Sequence, residues 1–166
     1  LPARPPPAGR QRSRRLREPL AARGLALDGL WSGPLRRQRD TAAVLAEGSG
    51  LEARIDAAFD EYRADQVIRA WLDGGPPGVA PALVRAPQSG SARDYQRLLE
   101  SAGRAWIDGA IAGYDGESWQ AFRRRVGAGL DQVMRATGRG RRVAVCTSAG
   151  GIGAAVGHVL GLDDLQ

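Results

Sequence analysis

An arginine-rich segment, Ser32 to Ala42, reads S-G-P-L-R-R-Q-R-D-T-A and follows a short apolar stretch, Leu25 to Trp31. A glycine and a proline predict a turn between the two, so that a strand is followed by a helix. Backbone N–H groups at a helix start, with the positive end of its dipole, favour an anion such as phosphate. Arginine adds a planar fork of donors that matches phosphate oxygens. The candidate ligands are Arg36, Arg37 and Arg39.

This segment resembles the histidine phosphatase superfamily, the phosphoglycerate mutase-like proteins, in which a strand ends in Ser-x-x-Leu-x-Arg and a Thr-Ala pair follows four residues after the arginine. The matching residues are Ser32, Leu35, Arg37, Thr41 and Ala42. The resemblance implies that Arg37 binds phosphate, and it leaves Arg36 and Arg39 facing solvent.

Four further stretches follow in the order of the family. They are Gly9 to Gly24 as the preceding helix, F-D-E-Y at Phe59 to Tyr62, G-E-S-W-Q-A-F-R-R-R-V at Gly116 to Val126, and V-A-V-C-T-S-A-G-G-I at Val143 to Ile152. The resemblance covers most of residues 9–162 and is weakest over residues 73–93. It implies a domain that acts on phosphate monoesters through a phosphohistidine intermediate, with no cofactor and no metal.

The two strongest site residues each have a structural alternative. Arg37 is either the phosphate ligand or a solvated arginine paired with Asp40 or Glu47 on its own helix. Glu61, in F-D-E-Y, matches the acidic residue that protonates the leaving oxygen in the family, and the alternative is an exposed loop carboxylate near Arg63. We expect Glu61 to have the catalytic role that the resemblance implies.

The second family histidine follows the last strand, in a Ser-His-Gly-Gly turn or a related one. A gapless alignment puts Ser148 at that position, whereas an alignment on the glycine pair puts Ala149 there. Some family members read Thr-Ser-Gly-Gly at this turn. The resemblance therefore implies that Ser148 binds phosphate, with Ala149 as the competing assignment.

The family nucleophile is a histidine in an Arg-His-Gly motif on the first strand, and this sequence has no such motif. The segment at residues 1–8, L-P-A-R-P-P-P-A, is not suited to a central strand because proline removes ladder donors. We therefore expect an irregular start at residues 1–8, a partial domain at residues 9–166, and a chain that is truncated at both ends.

The only histidine in the sequence is His158. It lies ten residues beyond Ser148 in a predicted helix, which corresponds to about 12–15 Å along the helix axis. We expect it to be a surface or helix-end residue without a catalytic role.

Three other enzyme classes fail on spacing at the turn that follows Cys146. A cysteine phosphatase needs an arginine six residues after the cysteine, and that residue is Ile152. A nucleophile elbow needs glycine where Cys146 stands. A dinucleotide fingerprint needs a third glycine at Val156. Cys146 is instead predicted to be a buried strand residue, and Glu117 with Ser118 is predicted to cap a helix.

The fold class that these elements predict is α/β, a three-layer α/β/α phosphoglycerate mutase-like domain with an incomplete central sheet. Helices are predicted over Gly9–Arg23, Pro34–Ala46, Ala92–Ala112, Glu117–Thr137 and Gly150–Leu160, and strands over Asp28–Ser32, Leu51–Ile55 and Arg142–Thr147. A proline-rich loop is predicted over Gly74–Gln88.

The expected sheet lacks the central nucleophile strand of the family. We therefore expect Val143, Val145 and the strand at Leu30 to lose a neighbour, which leaves buried backbone groups unpaired. Expressed alone, the chain is predicted to be marginally stable or prone to aggregation.

Composition limits the partners that can be inferred. The net charge is +6, yet all 24 basic residues are arginine and the chain has neither lysine nor asparagine, which indicates GC-rich coding rather than a nucleic-acid footprint. We expect a phosphorylated small molecule or a phosphoprotein as ligand, and neither nucleic acid nor a membrane. With one cysteine and no long apolar segment, the chain has no internal disulfide, and a cytoplasmic location is expected.

Two functions of different class follow. The first is a phosphoglycerate mutase-like histidine phosphatase whose nucleophile histidine is missing from this chain. The second is a non-catalytic pseudophosphatase or gene remnant that at most binds a phosphorylated ligand.

Overall fold

A computed structural model describes residue 15 and residues 22–75 and 91–162. The irregular start, nearly all of the predicted helix at residues 9–23 and most of the predicted loop at residues 74–88 lie outside the described residues. The chain divides into two compact units, which are treated separately below. One comprises Leu1–Glu61 and Arg123–Leu162, and the other comprises Tyr62–Phe122 and Asp163–Gln166.

The described residues form three strands, five helices and one 3₁₀ turn. In chain order these are β1 (Gly29–Ser32), α1 (Arg36–Ala46), β2 (Arg54–Ile55), the 3₁₀ turn (Ala57–Phe59), α2 (Ala64–Asp73), α3 (Ala92–Ile107), α4 (Trp119–Thr137), β3 (Val143–Cys146) and α5 (Ala149–Leu160). The predicted strands at β1 and β3 are confirmed in kind and approximate position. The same holds for the four predicted helices that correspond to α1, α3, α4 and α5.

Two elements differ from the sequence prediction. The strand predicted over residues 51–55 is reduced to Arg54–Ile55, both of whose residues are exposed. Helix α2 was not predicted, although Val67, Ile68 and Trp71 give it one buried face. These apolar side chains recur at helical spacing within a ten-residue segment, which is the pattern of an amphipathic helix.

The three strands form a parallel sheet in the order β2-β1-β3. Strand β1 lies in the middle: Trp31 pairs with Arg54 on one side and with Val145 on the other. The expectation that the strand at Leu30 loses a neighbour is therefore wrong, because β1 is paired directly with β3. Among the described residues β3 is an edge strand, paired on one side only.

The alternation of side chains along the strands divides the core of the first unit between the two faces of the sheet. On one face, Leu30 and Cys146 pack with Ala42 of α1. On the other face, Trp31 packs with Phe59 and with Val133 of α4. Helices thus cover both faces, and the predicted three-layer α/β/α arrangement is confirmed.

The start of the sheet is held by Asp28, which precedes β1. Its carboxylate accepts hydrogen bonds from the Arg142 backbone N–H at 2.8 Å and from Arg141 Nη1 at 2.9 Å. The backbone hydrogen bond, followed by the Arg141 side chain, lowers the pKa of Asp28 below its ordinary value of 3.8. These contacts set the register between β1 and β3 at the amino ends of the strands.

The second unit has its own aromatic core. Tyr62 and Trp106 are stacked with ring centroids 4.6 Å apart, and Phe122 and Trp119 pack against them. The indole Nε1 of Trp106 donates to the Glu117 carbonyl at 2.9 Å. Helices α2 and α3 pack on each other in this unit.

The predicted cap of α4 is present in part. The Ser118 hydroxyl accepts a hydrogen bond from the Ala121 N–H at 3.2 Å, which is the contact that an N-cap serine makes. Glu117 contributes its backbone carbonyl to Trp106.

Helix α5 is covered less than the other elements of the first unit. Only Gly151 and Ala154 of its twelve residues are buried. An apolar stripe faces outward instead, formed by Ile152, Val156, Val159 and Leu160, which are 50–66% exposed. The uncharged stripe is notable in a chain with a net charge of +6, because contiguous exposed apolar surface favours association.

We predict that Ile152→Gln changes the free energy of unfolding by no more than about 0.5 kcal/mol, as expected for a surface substitution. The matched control on the same helix is Ala154→Gln. Since Ala154 is 1% exposed, burying an amide there should cost about 1–3 kcal/mol. Urea unfolding monitored by circular dichroism measures both values. Equal destabilisation by the two substitutions would mean that the stripe is covered.

Candidate functional site

The candidate site lies where the carboxyl ends of two parallel strands meet. Strand β1 ends at Ser32 and leads through a turn into α1, and strand β3 ends at Cys146 and leads into α5. Ser32 and Cys146 are paired in the sheet, so the two turns are neighbours. In parallel α/β sheets this edge is the usual place for a ligand, because helix starts and loops converge there.

Arg37 and Ser148 are brought together by these turns. Arg37 Nε donates to the Ser148 Oγ at 3.1 Å, across 111 residues of sequence. The alternative for Arg37, an ion pair on its own helix, is instead made by Arg36, whose Nε lies 3.7 Å from Asp40 Oδ2. Arg36 and Arg39 are exposed as predicted.

Gln38 connects Ser148 to the rest of the site and is almost completely buried, with 2% of its surface exposed. Its Oε1 accepts from the Leu35 N–H at 3.1 Å. Its Nε2 donates to the Ser148 Oγ at 2.9 Å and to the Phe59 carbonyl at 3.0 Å. Both N–H groups of this amide and one lone pair of its oxygen are thereby used.

The Phe59 carbonyl is the point at which three segments meet. It accepts from Gln38 Nε2 and, at 2.8 Å, from the Thr147 hydroxyl. Gly33 lies directly beside this junction, and a Cβ atom there would collide with both the Phe59 carbonyl and Gln38 Oε1. Glycine is therefore required at position 33 by close approach.

Glu61 reaches the start of α5. Its Oε2 accepts from the Gly150 backbone N–H at 3.2 Å, two residues after Ser148. The segment that carries Glu61 is held by Arg125 of α4, whose Nη1 donates to the carbonyls of Ala57, Ala58 and Asp60 at 3.0–3.2 Å. The three predicted site residues thus meet at one helix start.

Of the two positions that competed for the second family histidine, Ser148 faces Arg37 and Gln38, whereas Ala149 is exposed. Ser148 is the N-cap residue of α5, yet its side chain makes no capping hydrogen bond to its own helix. The hydroxyl is committed to the site instead. The N–H groups of the first helical turn have no carbonyl of the same helix to bind and favour an anion.

His158 lies at the other end of α5, within the first unit. Its Nε2 lies 3.0 Å from Asp131 Oδ1 of α4, and its ring lies against Gly127. The expected helix-end position of His158 is confirmed, and the imidazole belongs to the packing of α5 on α4.

Cys146 is buried, with 7% of its surface exposed, as predicted for a strand residue. Burial raises the pKa of its thiol from 9.0 to about 11. The thiol is therefore almost entirely protonated at neutral pH, which does not suit a nucleophile.

Among the residues that the structure describes, no group of three or more histidine, cysteine, aspartate or glutamate side chains is placed to hold a metal ion. Within the same residues, no helix is long and apolar enough to cross a membrane.

The sequence model described as the histidine phosphatase superfamily (branch 1) matches residues 6–67 and 87–166. The chain belongs to this superfamily. The match includes both turns of the candidate site and the segment that carries Glu61. A search of curated proteins gave no match.

Three solved structures of similar fold are mycobacterial proteins. The native structure of mycobacterial glucosyl-3-phosphoglycerate phosphatase is 24% identical with a TM-score of 0.61, over 95% of this chain and 69% of that chain. Mycobacterial hydrolase 1 is 23% identical with a TM-score of 0.61, over 93% and 66% of the respective chains. Mycobacterial hydrolase 2 is 25% identical with a TM-score of 0.57, over 93% and 60%. The chain thus spans about two thirds of the length of these proteins.

Three residues of the candidate site were not predicted from the sequence: Gln38, Thr147 and Arg125. Gln38 follows the motif arginine directly, and only its burial shows that it faces inward. Thr147 lies next to Ser148 in the turn after β3, and this position is the signal that could have placed it in the site. Arg125 is one of three consecutive arginines, and no local signal distinguishes it from its neighbours.

We predict that Gly33→Ala destabilises the protein by about 1–3 kcal/mol, because the new methyl group has no space beside the Phe59 carbonyl and Gln38. Gly153→Ala is the matched control, since a Cβ atom at this position of α5 meets open space. The control should raise stability by about 0.5–1 kcal/mol through higher helix propensity. Chemical unfolding of both variants measures the difference, and a neutral Gly33→Ala would contradict the close approach.

We predict that Cys146 in the native protein reacts with an aromatic disulfide reagent at pH 8 at least about 100-fold more slowly than in the unfolded chain. At a pKa of about 11, only about one thiol in a thousand is ionised at pH 8. Stability should also fall as the pH rises from 9 toward 11, because the unfolded thiol ionises first. Rapid labelling of the native protein would show that the thiol reaches solvent.

Proposed function

We propose that this chain is a phosphoglycerate mutase-like histidine phosphatase domain whose described residues form a binding site for a phosphate monoester. Arg37, the Ser148 hydroxyl and those N-terminal N–H groups of α5 that Glu61 does not occupy hold the phosphoryl oxygens. Glu61 lies beside them and protonates the leaving oxygen. The observation that carries the proposal is the meeting of Arg37, Ser148 and Glu61 at one helix start.

The donors of this site are suited to an anion. Arg37 is exposed and uses its Nε on Ser148, and among the described residues no partner takes its two terminal nitrogens. A guanidinium whose terminal nitrogens face the site can bind two phosphoryl oxygens. The dipole of α5 adds positive potential at the same place.

Glu61 fits the role of the acid in phosphoryl transfer. Its carboxylate is half-buried and held by the Gly150 N–H, and Arg125 fixes the segment before it. A carboxyl group placed at the rim of a phosphate site can donate a proton to the leaving oxygen, as general acids do.

The second candidate function, a non-catalytic pseudophosphatase, is favoured by Ser148 at the second family histidine position and by the lack of the nucleophile motif in these 166 residues. The 166 residues contain no Arg-His-Gly sequence, and their single histidine, His158, contacts Asp131. Ser148 accepts hydrogen bonds from a cation and an amide, so no base activates it as a nucleophile. These 166 residues should therefore bind a phosphate monoester without forming a phosphohistidine. The ligand class is a phosphorylated small molecule or a phosphoprotein.

We predict that the chain binds phenyl phosphate and that Arg37→Ala weakens binding about 10- to 100-fold, because charge-assisted hydrogen bonds contribute about 1.5–3 kcal/mol. Arg39→Ala, two residues away on the exposed side of α1, is the matched control and should change binding less than about threefold. Isothermal titration calorimetry measures both affinities.

The same samples are assayed with p-nitrophenyl phosphate. No hydrolysis is expected above background. Turnover that disappears in Arg37→Ala would exclude the pseudophosphatase and support the enzyme. Equal affinity of Arg37→Ala and the unmodified chain would contradict the proposed site.

A further inference from the structure

The Ser148 hydroxyl is held so that its proton must point away from both of its neighbours. A serine oxygen has two lone pairs and one proton. Both lone pairs are used, since the oxygen accepts from Arg37 Nε at 3.1 Å and from Gln38 Nε2 at 2.9 Å. Among the described residues none accepts the remaining proton. The hydroxyl is thus a donor with no protein acceptor in the part of the chain that the structure describes.

The orientation of the Gln38 amide is fixed from two sides. Its oxygen faces the Leu35 N–H, and its nitrogen faces the Phe59 carbonyl. A flipped amide would place two donors against each other at Leu35 and two acceptors against each other at Phe59, at a place where Gln38 is 2% exposed and water cannot compensate. The Gln38 nitrogen therefore has to donate to Ser148.

We propose that Gln38 is a positioning residue that, together with Arg37, fixes the Ser148 hydroxyl as a hydrogen-bond donor toward an acceptor oxygen of the ligand. The ligand contact is made by Ser148, and Gln38 acts through it. This inference rests on the proposed phosphate site and specifies how that site selects its ligand: it takes an oxyanion, and it offers no acceptor at Ser148 to a cation or to a ligand amine.

The orientation of the amide is tested first, without a ligand, in protein labelled with ¹⁵N. The two side-chain amide protons of Gln38 are assigned as the pair that disappears in Gln38→Met, among eight glutamines and no asparagine. In Ser148→Ala, the proton that faced Ser148 should shift upfield while the proton that faces the Phe59 carbonyl stays in place. If neither proton moves, the contact is absent and the proposal is overturned.

A double-mutant cycle then tests whether Gln38 acts through Ser148. Sulfate is the probe, because its charge is constant between about pH 5 and 8 and no titration of the ligand interferes. We expect Ser148→Ala to weaken sulfate binding about tenfold and Gln38→Met about five- to tenfold. The double variant should bind about as weakly as Ser148→Ala alone, since the second substitution removes a partner that is already gone.

Losses that multiply to about 50- to 100-fold in the double variant would show that Gln38 and Ser148 act independently, and would overturn the proposal. Such a result would leave the phosphate site itself intact, because the unmodified chain still binds. If the unmodified chain binds neither sulfate nor phenyl phosphate, the proposed function fails and the inference fails with it. Ser148→Ala keeps Gln38 in place, so the NMR result decides the contact even if Gln38→Met does not fold.

Discussion

The arrangement of the candidate site depends on one backbone oxygen, the Phe59 carbonyl. It accepts from Gln38 at the start of α1 and from Thr147 at the end of β3. Two strands bring these helix starts to the same edge, but a parallel sheet alone does not determine the distance between the turns. The shared acceptor does, and Gly33 provides the space for it. Because the acceptor is buried, loss of either donor would leave it poorly satisfied.

Much of the fold was predictable from the sequence because its signals are local. The turn after Trp31, the apolar run at Val143–Cys146 and the cap at Ser118 each depend on neighbouring residues, and the structure has them where they were expected. Sheet order is not local. The central position of β1 follows from pairing across more than 100 residues, and the resemblance suggested a different neighbour for this strand. Helix α2 lacks the usual start signal, because its N-cap residue is Arg63 and makes no side-chain capping hydrogen bond.

The candidate site was predictable only in part. A motif identified Arg37, Glu61 and Ser148, and the structure brings these three together. The residues that hold them, Gln38 and Arg125, carry no sequence signal, because a glutamine or an arginine on a helix is most often a solvated residue. Their inward direction follows from the packing of α1 and α4 against the sheet, which sequence spacing does not specify. Residues that position a site are therefore harder to predict than residues that contact a ligand.

Helix α5 carries one side of the site at its first turn, yet it is weakly held along its length. Four of its twelve residues are glycine, and each costs about 1 kcal/mol relative to alanine in a helix interior. Only two of its residues are buried. Such a segment opens locally at a lower free energy than the sheet beneath it, and its amide protons should exchange with solvent sooner. A ligand at Ser148 binds only the folded helix, so it should oppose this local opening, and its affinity is linked to the stability of the whole of α5.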